Sequence, residues 1–318
     1  MELLYFLLLG FGILMYVLLD GFDLGIGMLF PWFEDHQDRG KMMRAVAHVW
    51  DGNETWLVFG GVILLGAFPA AYGRLLEALY LPIMLMLLAL VFRGVAFEYR
   101  FKAKTSRRWW DLAFGLGSSL AAFCQGLILG TLVESGAERL LTPFSVFTAF
   151  AVMAGYGLLG ATYLNLKTSG ALQAKARALA GTLLVAVMLA MAAVSLWNFA
   201  LVDGVRERWL AYLPWLWPIP LLALAVALWL WRSLQAGAEQ RPFWLAMALF
   251  VLGFLGLVVG LFPELIPGRL NIYQAAAPRA SLAFMLPGIA IFLPLILGYT
   301  LWGYRIFKGK VEHYEEGY

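Results

Sequence analysis

The chain has 318 residues, of which 62% are hydrophobic and only 14% charged, with a formal net charge of +3. That composition excludes an ordinary water-soluble domain, and a charge so small and dispersed excludes a nucleic-acid binder. The single cysteine, Cys124, excludes an intrachain disulfide and a thiolate metal cluster.

Apolar runs of roughly 20 residues, the length at which a helix crosses hydrocarbon, recur along the whole chain. They predict an all-α integral membrane protein with about nine transmembrane helices, at about 3–28, 50–72, 77–99, 110–131, 143–166, 176–201, 213–231, 243–262 and 283–306. The first run lacks a basic n-region and a small-residue cleavage site, so it is expected to stay as a helix and not to be removed as a signal peptide. The longest connections fall at about 29–49 and 263–282, too short for a soluble domain, so residues 1–318 form one transmembrane domain. Within it, Tyr16, Leu18, Leu19 and Leu24 match Tyr156, Leu158, Leu159 and Leu164 at an offset of 140. The match suggests two tandem four-helix bundles, 1–132 and 143–262, with a peripheral ninth helix at 283–306.

Basic residues set the orientation, because Lys and Arg are retained on the cytoplasmic side. With the N-terminus outside, 16 of them fall in the inner loops and tail: Arg39, Lys41, Arg44, Arg100, Lys102, Lys104, Arg107, Arg108, Lys167, Lys175, Arg177, Arg232, Arg241, Arg305, Lys308 and Lys310. Six fall outside, namely Arg74, Arg139, Arg206, Arg208, Arg269 and Arg279, and Arg93 lies within a span. The expected arrangement is N-out and C-in.

Charge inside the spans is concentrated toward that cytoplasmic side. Asp20 and Asp23 lie late in the first helix, Asp51 and Glu54 open the second, and Arg93 and Glu98 lie late in the third. A carboxylate near the bilayer costs a few kcal/mol or more unless paired, hydrated or protonated. Asp20 and Asp23 share one face, at the wrong end of their helix for capping and opposed to its dipole. Gly21 and Gly25 form a G-x-x-x-G that allows a neighbouring helix to approach closely. Three aspartates beside one arginine cannot all stay ionised in a low dielectric, so at least one is expected to hold a proton at neutral pH. Asp51 and Glu54 also suit plain helix N-cap or interfacial roles, and Arg93 can snorkel to the inner surface. Trp50, Trp56, Trp109, Trp110, Trp215 and Trp217 read by default as interfacial belt residues.

The three histidines, His36, His48 and His313, all lie outside the spans, so the chain offers no intramembrane axial pair for haem. There is no Walker A sequence, no H-E-x-x-H and no Cys/His cluster at metal spacing. Gly25-Ile26-Gly27 and Gly115-Leu116-Gly117 sit in apolar helices and read as packing features.

Three segments taken together carry a family resemblance: Asp20-Gly21-Phe22-Asp23-Leu24-Gly25, then Trp50-Asp51-Gly52-Asn53-Glu54-Thr55-Trp56-Leu57, then Phe92-Arg93 with Phe97-Glu98-Tyr99-Arg100. In motif order, length and span count the chain resembles subunit II of cytochrome bd-type quinol oxidases. The resemblance implies a haem-free subunit, paired with a related subunit I that carries haems b and d, in a bacterial inner-membrane complex that oxidises quinol and reduces dioxygen to water. It implies that Asp20, Asp23, Asp51 and Glu54 serve a cytoplasmic proton pathway, with Arg93 and Glu98 as counter-ion or structural groups. Trp50, Asn53 and Trp56 would form the surrounding shell or subunit interface. No metal and no catalytic residue are expected in this chain. A small single-helix accessory subunit, lipid and a quinone bound within this subunit are further partners that the resemblance allows. Some relatives place a His two residues before the aspartate of W-D-G-N, whereas here that position is Val49, so no histidine is carried into the path. Two readings from other classes stay open: a proton-coupled secondary transporter using the same charges, and a purely structural scaffold.

Overall fold

The computed structural model describes residues 1–137, 139–201 and 203–311, and His313 lies outside them. Five helices make the first half: α1 (Glu2–Leu29), α2 (His36–Val46), α3 (Trp50–Ala67), α4 (Pro69–Ala78) and α5 (Tyr80–Arg100). Next come α6 (Arg107–Ser135), α7 (Pro143–Lys167) and α8 (Gly170–Leu201). The short α9 (Asp203–Ala211) and α10 (Leu213–Leu216) lead into α11 (Pro218–Gln235) and α12 (Arg241–Leu261). A two-stranded hairpin, β1 (Glu264–Ile266) with β2 (Leu270–Asn271), and one turn of helix, α13 (Ile272–Ala275), precede α14 (Arg279–Ile306).

Eight of these segments are long and apolar enough to cross a membrane, and a ninth is a bent pair. The expected second span, 50–72, is corrected at that pair: α3 stops at Ala67, and α4 turns away by 119°. Pro69 explains the break, since it lacks an N–H and its ring clashes with the preceding turn of a continuing helix. The 18 residues of α3 still reach about 27 Å, nearly the thickness of the hydrocarbon layer.

Other ends are written into local chemistry. Thr142 and Ser145 form a reciprocal capping box at the start of α7, with backbone-to-hydroxyl distances of 3.0 and 2.9 Å. Helix α6 ends on Gly136 in the left-handed region (φ 54°). A Cβ there would also lie 2.7 Å from the Pro267 carbonyl oxygen of the hairpin.

Helices α1 and α7 are the centre of the bundle. Helix α1 packs against α3, α6 and α7, and α7 packs against α6, α8 and α12. The α1–α7 crossing depends on glycine: a Cβ on Gly160 would lie 2.6 Å from the Gly25 carbonyl carbon, and one on Gly21 would lie 2.8 Å from the Tyr156 ring. The backbones therefore touch, as small-residue helix pairs in membranes do. Around the crossing, Leu24, Ile26, Leu158, Leu159 and Leu164 are fully buried. Helix α14 lies outside this core against α3, with most of its surface exposed.

Candidate functional site

Hydrogen bonds bring the basic loops to one end of the bundle. Arg100, at the end of α5, contacts His36 of the α1–α3 connection. Asn165, near the end of α7, donates to the carbonyls of Ala238 and Glu239 between α11 and α12. Val311 beyond α14 donates to the Lys167 carbonyl at 2.8 Å. The intramembrane charges lie toward this same end.

Asp20 and Asp23 arrive there because α1 runs to that end, and both are fully buried against neighbouring helices. Arg93, on the inward face of α5, is also fully buried. Its Nη2 donates to Asp20 Oδ1 at 2.7 Å and to Glu54 Oε1 at 2.6 Å. Glu54 sits one turn inside α3 and stays a quarter exposed. Arg93 therefore does not snorkel, and it clamps α1, α3 and α5 together.

A second polar thread runs beside the first. Asn53 is buried, and its Nδ2 donates to Asp23 Oδ2 at 2.7 Å and to the Leu19 carbonyl at 3.3 Å. Its Oδ1 accepts from the Tyr304 hydroxyl at 2.8 Å, which ties α14 to α3 and α1. Deeper in the bundle Gln125 of α6 donates to the Tyr16 hydroxyl at 2.7 Å and accepts from the Tyr156 hydroxyl at 2.6 Å. Asp20 Oδ2, Asp23 Oδ1, and Arg93 Nε and Nη1 are buried without a protein hydrogen-bond partner. Four such atoms in one cluster call for water or a shared proton to satisfy them. Three carboxyl groups stand around one guanidinium, more acid than a single cation can neutralise.

Several sequence expectations are revised by this geometry. Asp51 lies on the exposed face of α3, outside the buried cluster, so Glu54 is the α3 acid that meets Arg93. Three residues apart, the two lie side by side on α3, and Glu54 falls at the edge of the packed face while Asp51 falls just outside it. Neither caps α3, whose N-cap is Val49. Glu98 is exposed and pairs with Lys102 at 3.5 Å, a surface pair that contributes little. Trp56 is not a belt residue but fully buried, set edge-on to Phe11 with ring centroids 5.6 Å apart. Trp50 stacks flat on Phe97 at 5.0 Å, while Trp109 and Trp215 are exposed as a belt requires.

Sequence reasoning missed Tyr304, Gln125, Tyr16 and Tyr156. It also placed Arg100 in a loop, whereas it is fully buried and donates to Asp111, which pairs with Arg39 at 3.3 Å. Arg39 in turn donates to the Phe30 and Phe33 carbonyls that follow α1, a cation at a helix C-terminus. Gln125, a polar side chain in the middle of an apolar run, was the available signal.

Among the described residues no group of three or more His, Cys, Asp or Glu could hold a metal ion. His36 is engaged at both ring nitrogens by Arg100 and Arg107, and His48 stacks on Phe307 at the loop end, with ring centroids 4.2 Å apart.

Comparison with known proteins agrees with the motif order. The chain is 27% identical to the cytochrome bd-I ubiquinol oxidase subunit 2 of Escherichia coli K12, covering 98% of this chain and 95% of that protein. It is also 27% identical to the cytochrome bd ubiquinol oxidase subunit 2 of Bacillus subtilis, covering 98% and 97%. Its fold matches a chain of the bd oxidase structure from Geobacillus thermodenitrificans with a TM-score of 0.78 at 18% identity, over 96% of this chain and 98% of that one. With residues 1–307 matched by the family model for cytochrome bd terminal oxidase subunit II, the chain belongs to that family of multi-pass bacterial membrane proteins.

Proposed function

We propose that this chain is the haem-free subunit of a quinol:dioxygen oxidoreductase, stabilising the haem-bearing subunit I and delivering protons to it from the cytoplasm. Relatives named as ubiquinol oxidase subunits support the reaction class. The scarcity of histidines, with His36 and His48 both in the connection between α1 and α3, supports leaving the haems with the partner, where they would supply the electron transfer and oxygen chemistry. The distribution of Lys and Arg supports the N-out, C-in orientation that makes the polar end cytoplasmic.

The observation that carries the proton role is the buried Asp20–Arg93–Glu54 array with Asp23–Asn53–Tyr304 beside it. Helix directions order these groups by depth. Asp51 lies in the first turn of α3 and is exposed, so it serves as the pickup group. Glu54 comes one turn deeper, and Asp20 with Arg93 deeper still. Arg93 lowers the cost of negative charge without itself giving up a proton, and Asn53 and Tyr304 hold Asp23 in place and link it toward the surface. Trp50 and Trp56 exclude bulk water from the flanks. The offset match between α1 and α7 and their central crossing support the tandem reading, with α1–α6 and α7–α12 as units and α14 peripheral.

Optical spectra of the complex purified with and without subunit I test the assignment. Haem bands should follow subunit I and be missing from this chain alone. An isolated chain that keeps haem refutes the reading.

A further inference from the structure

We propose that Gln125 of α6 is a positioning residue for Asp20: it holds the Tyr16 hydroxyl as a donor to that carboxyl and so biases which acid of the cluster carries a shared proton. The assignment rests on the proton role proposed above. An amide set between two hydroxyls fixes their direction, because its oxygen only accepts and its nitrogen only donates. Gln125 Oε1 accepts from the Tyr156 hydroxyl at 2.6 Å, and Gln125 Nε2 donates to the Tyr16 hydroxyl oxygen at 2.7 Å. The Tyr16 oxygen is thereby engaged as an acceptor, and its one proton is left for another neighbour. Asp20 stands one turn further along α1 and interacts with that hydroxyl. Its Oδ1 is taken by Arg93, whereas its Oδ2 is buried without a protein partner. With Tyr16 turned to that oxygen, every donor in the series Tyr156, Gln125, Tyr16 points toward Asp20.

The far end of the series is held in place by packing. The Tyr156 ring lies against Gly21, where a Cβ would come within 2.8 Å of it, and stacks on Phe250 of α12 with ring centroids 6.1 Å apart. Tyr16 and Tyr156 are both buried, and the stretches 112–133 of α6 and 242–261 of α12 carry no charged residue. The titratable and charged groups that face Asp20 are Tyr16 and Asp23 on its own helix, Glu54 of α3, Arg93 of α5, Tyr156 of α7 and Tyr304 of α14. Arg93 serves Asp20 and Glu54 alike, and Asn53 serves Asp23. The Tyr16 hydroxyl is what distinguishes Asp20 from its neighbours. A hydrogen bond donated to a carboxylate favours its charged form, so a proton held in the cluster is steered to Asp23 or Glu54.

The test is an infrared pH titration of the purified oxidase complex, reading the protonated-carboxyl band that Asp20→Asn removes, alongside quinol-driven oxygen consumption and thermal melting. Gln125→Met keeps the side-chain length and loses the amide, which frees the Tyr16 hydroxyl to turn away. The band should then titrate about one pH unit higher, roughly the tenfold change in proton occupancy that one hydrogen bond to a charged group sets. Tyr16→Phe removes only the hydroxyl, keeps the packing, and should give the same displacement. The two substitutions together should move the band no further than either alone, because they break one series. A Gln125 that only ties α1, α6 and α7 together would lower the melting temperature and leave the titration in place, and that result overturns the proposal. A double variant displaced by the sum of the two single shifts overturns it as well. Oxygen consumption separates this from the proton reading. A displaced band with unaltered turnover upholds the positioning and refutes the path, whereas an unmoved band with turnover still lost in Asp23→Asn and Glu54→Gln refutes the positioning alone.

Discussion

Tyr304 of the last membrane helix donates to Asn53 of the second, and the same Asn53 donates to Asp23 of the first, at 2.8 and 2.7 Å. One buried amide therefore couples a peripheral helix to the acid cluster. Tyr304→Phe removes one neutral hydrogen bond and leaves Asn53 Oδ1 unsatisfied, a cost of about 1–3 kcal/mol. The expected result is a modest fall in melting temperature with the complex still assembled, and oxygen consumption slowed severalfold as Asp23 loses its linked partner. Thermal melting and turnover of one preparation check both halves.

Arg93→Leu strands Asp20 and Glu54 without their counter-ion. Breaking a buried pair in this way costs about 3–5 kcal/mol. We expect little assembled complex, measured as haem-bearing oxidase recovered per cell mass. Replacing Asp20 by Leu as well should recover part of that yield. Wild-type yield from the single variant would show that the clamp is dispensable.

The α1–α7 crossing gives a packing prediction that involves no charge. Gly160→Leu forces a side chain into the Gly25 backbone, where a Cβ alone already comes within 2.6 Å. That rigid clash should prevent assembly altogether. Gly73→Ala meets nothing within 4 Å in the exposed helix α4 and should be neutral or stabilising by up to about 1 kcal/mol. Expression and melting of the two variants discriminate close packing from general glycine intolerance.

Topology is tested by a reporter fused after Tyr318. It should be active only in a form that works in the cytoplasm, and activity of a periplasmic reporter there would reverse the direction of the proton path.

Much of this site was legible from residue type and spacing. Asp20, Asp23 and Arg93 stand out because charge within an apolar run has few uses, and the G-x-x-x-G beside them announced a close helix neighbour. What spacing did not decide was the rotation of α3, which puts Glu54 at the edge of the packed face and Asp51 just outside it. Tyr304 was out of reach for a different reason. A tyrosine near a membrane helix end is ordinary interfacial chemistry, and only the docking of α14 onto α3 converts it into a partner for Asn53. Pro69 stood in plain view within a predicted span, where apolar composition outweighed the proline and the 119° turn was missed.

Quinol-driven oxygen consumption per haem, followed across pH in purified Asp23→Asn and Glu54→Gln complexes, tests the central claim most directly. Both substitutions keep size and hydrogen bonding but remove the titrating group. The account predicts turnover slowed on the order of a hundredfold, the low end of what a positioned proton-transfer group contributes, with a displaced pH profile and normal haem content. Wild-type rates with an unchanged pH profile in both complexes would contradict it, leaving the cluster as a structural clamp and placing the proton route in the partner subunit.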